Sequence, residues 1–353
     1  MHSASMIEEI IEPELPIVDP HHHLWFHPDP VLAALERQES LTVRSLLPAF
    51  RRHPRYLFDE FLADLNTGHD VRATVFVEVH AMYRARGPQM LQSVGEVEFA
   101  NGMAAMAASG LFGDIGICAG IVGSVDLRLG DAVKDILSAH MRAGGGRYRG
   151  VRASQVAYDA DPTVLGGGGV PHLMLDPKFR EGFRHLEPLG LSYDAWQLEY
   201  QLSELLDLAR AFPGTQIIVN HAGGLFGLGP YSGRAEERFA TWRANLRSLA
   251  QCPNVSVKLG GFGMPTCGFP SSFSPTPPSS ARLAAEWRPY VESCIDAFGA
   301  DRCMFESNFP VDAATTTYAV LWNAFKRIAS GASDSEKSAL FSGTARRVYR
   351  LDH

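Results

Sequence analysis

A chain of 353 residues, 46% of them hydrophobic and 20% charged, carries enough apolar material for a large buried core, which excludes a disordered or fibrous protein. Lys and Arg total 32 against 39 Asp and Glu, a formal charge of −7 with no basic run, so the electrostatic footprint of a nucleic-acid binder is missing. No stretch approaches about 18 uninterrupted apolar residues, and Met1 to Ile10 is acidic where a secretion signal would be basic and then apolar. The expected setting is cytoplasmic, with a small-molecule substrate, no nucleic-acid or membrane partner, and room for a homo-oligomer. Five scattered cysteines, never in C-x-x-C spacing, argue for reduced buried thiols over a disulfide framework or zinc ribbon.

Along the chain, short β-rich apolar runs alternate with longer amphipathic stretches, the pattern of parallel strands covered by helices. Eight such runs occur: Leu15 to Val18, Ala73 to Val79, Ile115 to Val122, Gly150 to Ala153, Leu191 to Tyr193, Gln216 to Asn220, Val255 to Leu259 and Cys303 to Glu306. Helical spacing of apolar residues marks Pro88 to Ser109, Asp131 to Ala143, Gln201 to Ala211, Ala235 to Ala250 and Ala281 to Phe298. Eight strands in βα order predict an α/β fold, a (β/α)8 TIM barrel with extended loops at its C-terminal face, spanning about 15–350 as a single domain.

Two excursions interrupt this rhythm. Residues 225–234 follow the sixth strand, and residues 261–281, rich in Pro and Ser, follow the seventh; both are candidate lids, since barrel active sites are built from such loops. The glycine runs at 144–146 and 166–169 lack the context of a phosphate-binding loop and read as turns.

The chemistry concentrates where the apolar runs end. The first run closes in Asp19-Pro20-His21-His22-His23, and strand alternation places Asp19, His21 and His23 on one face, where two imidazoles can converge on one metal ion or one substrate oxygen. The same alternation offers Glu78 and His80 on the second strand and Arg152 on the fourth. Asp194 follows on the fifth, His221 on the sixth, Lys258 on the seventh, and Glu306 and Asn308 on the eighth. In a βα barrel these ends surround one mouth, so carboxylates, imidazoles, a lysine and an arginine share a small space. The simpler alternative is structural, with Arg152 paired to Asp194 and Lys258 to Glu306 as ion pairs inside the barrel. His53, His69, His140, His172 and His185 have no such setting and read as solvent-facing or satisfied histidines.

The runs IVDPHHHLW, RGVRAS, LSYDAW, IIVNHAGG, VSVKLGG and RCMFESNFPVD together resemble the amidohydrolase superfamily, in its amidohydrolase-2 branch with the dicarboxylate and sugar lactonases and related decarboxylases. The resemblance covers nearly the whole chain. It implies a βα barrel in which His21, His23 and His221 bind a divalent metal, zinc first, or polarise the substrate carbonyl without one. It also implies a last-strand aspartate as base for the hydrolytic water. Here that position is Asn308, which cannot accept a proton near neutral pH and is a weaker, neutral ligand, able to join a metal site or orient water only. Glu306, one alternation step earlier, is the preferred substitute base, with Glu78 and Asp194 as other candidates. A second departure is Asn220, where an aspartate often precedes the histidine.

The expected function is opening of a lactone or similar cyclic ester. His21, His23, His221, Glu306 and Asn308 would be catalytic, and Glu78, His80, Arg152, Asp194 and Lys258 would bind substrate. Two alternatives are a metal-dependent, non-oxidative decarboxylase of an aromatic acid and a catalytically retired barrel that only binds a ligand.

Overall fold

The computed structural model describes residues 8–167 and 169–351. Eight parallel strands form one sheet in sequence order: β1 (Ile17–His22), β2 (Val71–Val77), β3 (Gly116–Ser124), β4 (Tyr148–Arg152), β5 (Ser192–Ala195), β6 (Ile217–Val219), β7 (Val255–Leu259) and β8 (Cys303–Phe305). The sheet curls into the expected (β/α)8 barrel. Its closing seam is made by backbone bonds from Asn308 N to His21 O (2.9 Å) and from His23 N to Phe309 O (2.8 Å), with Ser307 N donating to the Asp19 carboxylate (3.0 Å). The barrel therefore closes through the polar motifs at the ends of β1 and β8.

The strands are short because their apolar runs are short, and each is buried on both faces, as a parallel sheet wrapped by helices requires. Helices Val94–Ala107, Val133–Ala143, Leu202–Ala211, Ala235–Leu249 and Ser280–Phe298 match the periodic stretches. The first is shorter than its periodicity suggests, because Gln89–Leu91 forms a separate 3-10 turn before it. Between β1 and β2 lie three helices for which no expectation stood: Asp29–Glu36, Leu41–Arg52 and Phe58–Leu65.

The inside of the barrel is filled by Val18, Val75, Val77, Val122, Ile218 and Met304, together with Ala345, Val348, Tyr349 and Leu351 from the C-terminal end of the chain. That last segment packs into the barrel interior and contributes a polar group to it, described below. The two candidate lids are tied to each other by Gly227 N donating to Thr266 O (2.7 Å), with Phe226, Phe262 and Cys267 buried, while Gly229, Pro230 and residues 232–234 are exposed. All five cysteines are free and buried, and no helix among the described residues is long and apolar enough to cross a membrane.

His140 and His69 are not solvent-facing: both are buried, His69 satisfied by Ala319 O (3.0 Å) and Lys326 Nζ (3.0 Å), whereas His140 is partnered at Nε2 by Ser93 Oγ (3.1 Å) and its Nδ1 has no partner among the described residues. Burial, assisted by Arg84, lowers the His140 pKa from 6.5 to about 4. Above pH 6.5 it is neutral in both states; as pH falls toward 4 the unfolded chain takes up a proton that the folded chain refuses, so stability drops through that window and levels off below it. Chemical denaturation near pH 7 and near pH 4 should show the wild type losing about 2 to 3 kcal/mol more than His140→Gln. Equal losses in the two proteins would show that the histidine does not contribute.

Candidate active site at the carboxyl ends of the strands

At the end of β1 the alternation expectation needs one correction. Asp19 does not share a face with His21 and His23, because the β1 register shifts between Asp19 and His22. Its buried carboxylate accepts from Ser307 N and from Tyr318 Oη (3.1 Å), and burial raises its pKa to about 6. His22 points to the outside of the barrel, stacked on Phe61 with ring centroids 4.1 Å apart. His21 and His23 do converge, Nε2 to Nε2 at 3.2 Å.

Around His21 the other predicted residues assemble. Glu306 lies between two imidazoles, with Oε2 2.6 Å from His21 Nδ1 and Oε1 2.7 Å from His221 Nδ1, and Oε1 also accepts from His221 N (3.0 Å). Lys258 Nζ lies 3.4 Å from His21 Nδ1, and an Arg152 terminal nitrogen 3.4 Å from His21 Nε2. The two glycines that end the β7 motif make this packing possible: a Cβ on Gly260 would meet Glu306 Cγ at 2.3 Å, and one on Gly261, at φ +68°, would meet the His221 ring at 2.6 Å.

The ion pairs are not those expected from the sequence. Arg152 pairs with Glu78, Nε to Oε1 at 2.6 Å with a second bond to the Glu78 carbonyl, and Lys258 pairs with Asp194 at 2.7 Å. Arg152 and Asp194 are direct register partners on neighbouring strands, yet each turns to a carboxylate or ammonium elsewhere on the barrel wall. Two cations thus meet two carboxylates, and neither positive charge stands unmatched. His80, half exposed, closes the rim, with Nε2 2.9 Å from Ser154 Oγ and 3.3 Å from Glu78 Oε2. Asn308 Nδ2 donates to Asp312 Oδ1 (2.7 Å), and Asn220 Nδ2 to Asp194 Oδ1 (3.0 Å).

Three contributors were not among the predicted site residues. Tyr349, on the C-terminal helix Thr344–Tyr349, donates its hydroxyl to Asp194 Oδ1 (2.7 Å) while its ring lies 5.2 Å from Lys258 Nζ. Glu96, on the helix after β2, accepts from Val79 N and Ala81 N (2.9 Å each) and so fixes the turn that carries His80 at φ +60°. Burial and the Glu78 charge raise its pKa to about 8. Asp312 is the third.

The protons in the cluster do not balance on their own. His23 Nδ1 faces the Val77 carbonyl at 2.8 Å and must be its N–H donor, leaving Nε2 of that neutral ring as an acceptor. His21 Nε2 then donates to it, so the neutral His21 ring would present an Nδ1 that carries no hydrogen, with Lys258 Nζ as a donor at 3.4 Å, to the Glu306 carboxylate at 2.6 Å. Protonating His21 would repair the contact, but burial, Lys258, His221, His23 and Arg152 all hold its pKa well below the usual histidine value. A divalent cation resolves the same conflict, since a bare imidazole nitrogen and a carboxylate oxygen are both good ligands. His21, His221 and Glu306 offer three such atoms within 4.8 Å of one another, all buried. His23 lies beside this group, with one nitrogen committed to Val77.

A (β/α)8 barrel with paired imidazoles ending β1, a third opening the β6 turn and a carboxylate at β8 is the architecture of an amidohydrolase-type enzyme. The chain belongs to that family: the amidohydrolase family model matches residues 18–351. It is 36% identical over 339 residues to the uncharacterized protein y4mH of Sinorhizobium fredii, covering 96% of this chain and 99% of that one. It is 30% identical over 246 residues to an L-fucono-1,5-lactonase of Burkholderia multivorans, covering 66% of this chain and 72% of the relative. Among solved structures, an amidohydrolase from Burkholderia multivorans with bound zinc superposes with a TM-score of 0.71 at 24% identity, covering 95% of this chain and 99% of the other.

Proposed function

We propose that the protein hydrolyses a neutral lactone. The observation that carries this reading is the matched charge of the mouth: Arg152 pairs with Glu78 and Lys258 with Asp194, so neither of these two cations stands free for a substrate carboxylate. Hydroxyl groups of an uncharged cyclic ester suit the rim formed by His80 and Ser154. The lactonase activity of the 30% identical relative supports the reaction class.

His21, His221 and Glu306 fit a divalent ion, zinc first by donor type and by the zinc-bound structural relative. When bound it would supply Lewis acidity, lowering the pKa of water and polarising the carbonyl, which removes the need for a base at Asn308. The chain's own groups prepare the rest. Arg152 and Lys258, each 3.4 Å from a His21 nitrogen, hold the His21 ring in place. Glu306 holds His221 through two N–H donors, and His23 stays neutral through Val77, so both rings keep a fixed orientation.

Proton release in a weakly buffered assay tests this directly. Neutral sugar lactones should be opened at least about a hundredfold faster, in kcat/KM, than lactones carrying carboxylates, and chelation should remove the activity. Preferred turnover of an anionic lactone would overturn the charge argument. Proton uptake with an aromatic acid would instead identify a decarboxylase.

A further inference from the structure

The aspartate that the family pattern places at the end of the last strand is Asn308 here, and the structure shows what that amide does. Its Nδ2 donates to Asp312 Oδ1 at 2.7 Å, while Asp312 Oδ2 accepts from Gly263 N at 2.8 Å in the loop after β7. Both side chains are buried, Asn308 to 1% and Asp312 to 0% exposure. The turn between them is closed by Asp312 N donating to Asn308 O (3.2 Å). Gly263 lies so close that a Cβ there would meet Asp312 Cβ at 2.8 Å, so the carboxylate is clamped between two loops.

We infer that Asn308 and Asp312 form one unit in which the carboxylate expected at the strand end has moved four residues onward, and Asp312 acts as a positioning residue for the Asn308 amide. With Nδ2 committed to Asp312, the amide is fixed in rotation and its Oδ1 remains the end free to accept. Both Asp312 oxygens receive N–H donors, so position 308 is built for a donor and not for a second acid; burial, with the Glu306 and Asp19 charges, holds the Asp312 pKa well above the usual carboxylate value, and the two donors counter that rise. An aspartate at 308 would put two carboxylates at hydrogen-bond distance in a buried site. Asn308 is therefore a matched partner of Asp312, and restoring the family residue alone would break the pair.

A residue exchange tests this without any assumption about substrate or metal. Asn308→Asp should lower the folding equilibrium constant near pH 8 by about tenfold or more, read from urea titration, because it creates the facing carboxylates. Asp312→Asn should also destabilise, because its one oxygen can still accept from Gly263 N but its NH2 would then face the Asn308 NH2, donor against donor. The double variant Asn308→Asp, Asp312→Asn reverses donor and acceptor, and should recover stability to within about threefold of the wild type. In wild-type protein labelled on asparagine nitrogen, the side-chain amide signal that Asn308→Asp removes should be protected from solvent exchange, as those of buried Asn220 and Asn323 are, and should lose that protection in Asp312→Ser while theirs persists. Full stability of Asn308→Asp, failure of the double variant to recover, or an unprotected Asn308 amide would each overturn the pairing.

Discussion

Glu306→Gln should reduce kcat/KM for lactone opening by on the order of a thousandfold and abolish binding of zinc, while the protein stays at least as stable as the wild type. The reason lies in the unbalanced contact with His21. A glutamine keeps one oxygen to accept from His221 N and Nδ1, and its amide nitrogen can donate to the bare Nδ1 of His21, now 2.6 Å from a carboxylate oxygen. The hydrogen-bond network would then be satisfied without a cation, and the negative charge that draws one would be gone. Loss of activity together with loss of stability would point to a structural role. Activity within tenfold of the wild type, with about one zinc per chain retained, would remove Glu306 from the centre.

The second large effect is on folding. Lys258→Met should cost about 3 to 5 kcal/mol, since Lys258 and Asp194 are both fully buried and joined at 2.7 Å, and the variant leaves a carboxylate in the barrel interior without its counter-charge. Asn220 and Tyr349 still donate to Asp194 Oδ1, but two neutral donors do not replace an ammonium group. Adding Asp194→Asn should recover much of the loss, because an amide oxygen can accept from Tyr349 without a charge. Denaturant titration of the two single variants and the double variant measures the coupling. A single-variant cost below about 1 kcal/mol, or strict additivity, would mean that the pair is not the stabilising unit.

The alternating apolar runs were enough to read the eight strands, their parallel order and the barrel, because a strand buried on both faces must be apolar along its length and each was separated by a helical period. The residues at the mouth were readable for the same reason: a polar side chain at the end of such a run has to face the barrel axis or solvent. His21, His23, His221, Glu306 and Lys258 meet as those strand ends imply. Asp19 does not follow, since the register shift between Asp19 and His22 in the pairing of β1 with β2, and the bond that its carboxylate takes from Ser307 N, leave no mark in local alternation.

Which charge meets which was decided only in three dimensions. Arg152 lies in register with Asp194, yet the pairs that form are Arg152 with Glu78 and Lys258 with Asp194, because side chains around a barrel reach across its interior as well as along the sheet. Tyr349 enters from the other end of the sequence, 155 residues from Asp194, on a helix whose local pattern says only that one face is apolar. Asp312 ends the RCMFESNFPVD run, and its partner Gly263 is set only when the loop after β7 folds against it. Sequence by itself determined the scaffold and the chemical inventory of its mouth, because burial and periodicity are local. Proton placement, ion pairing and the matched amide and carboxylate at β8 depend on distances of about 3 Å between residues far apart in the chain, and those only the tertiary structure sets.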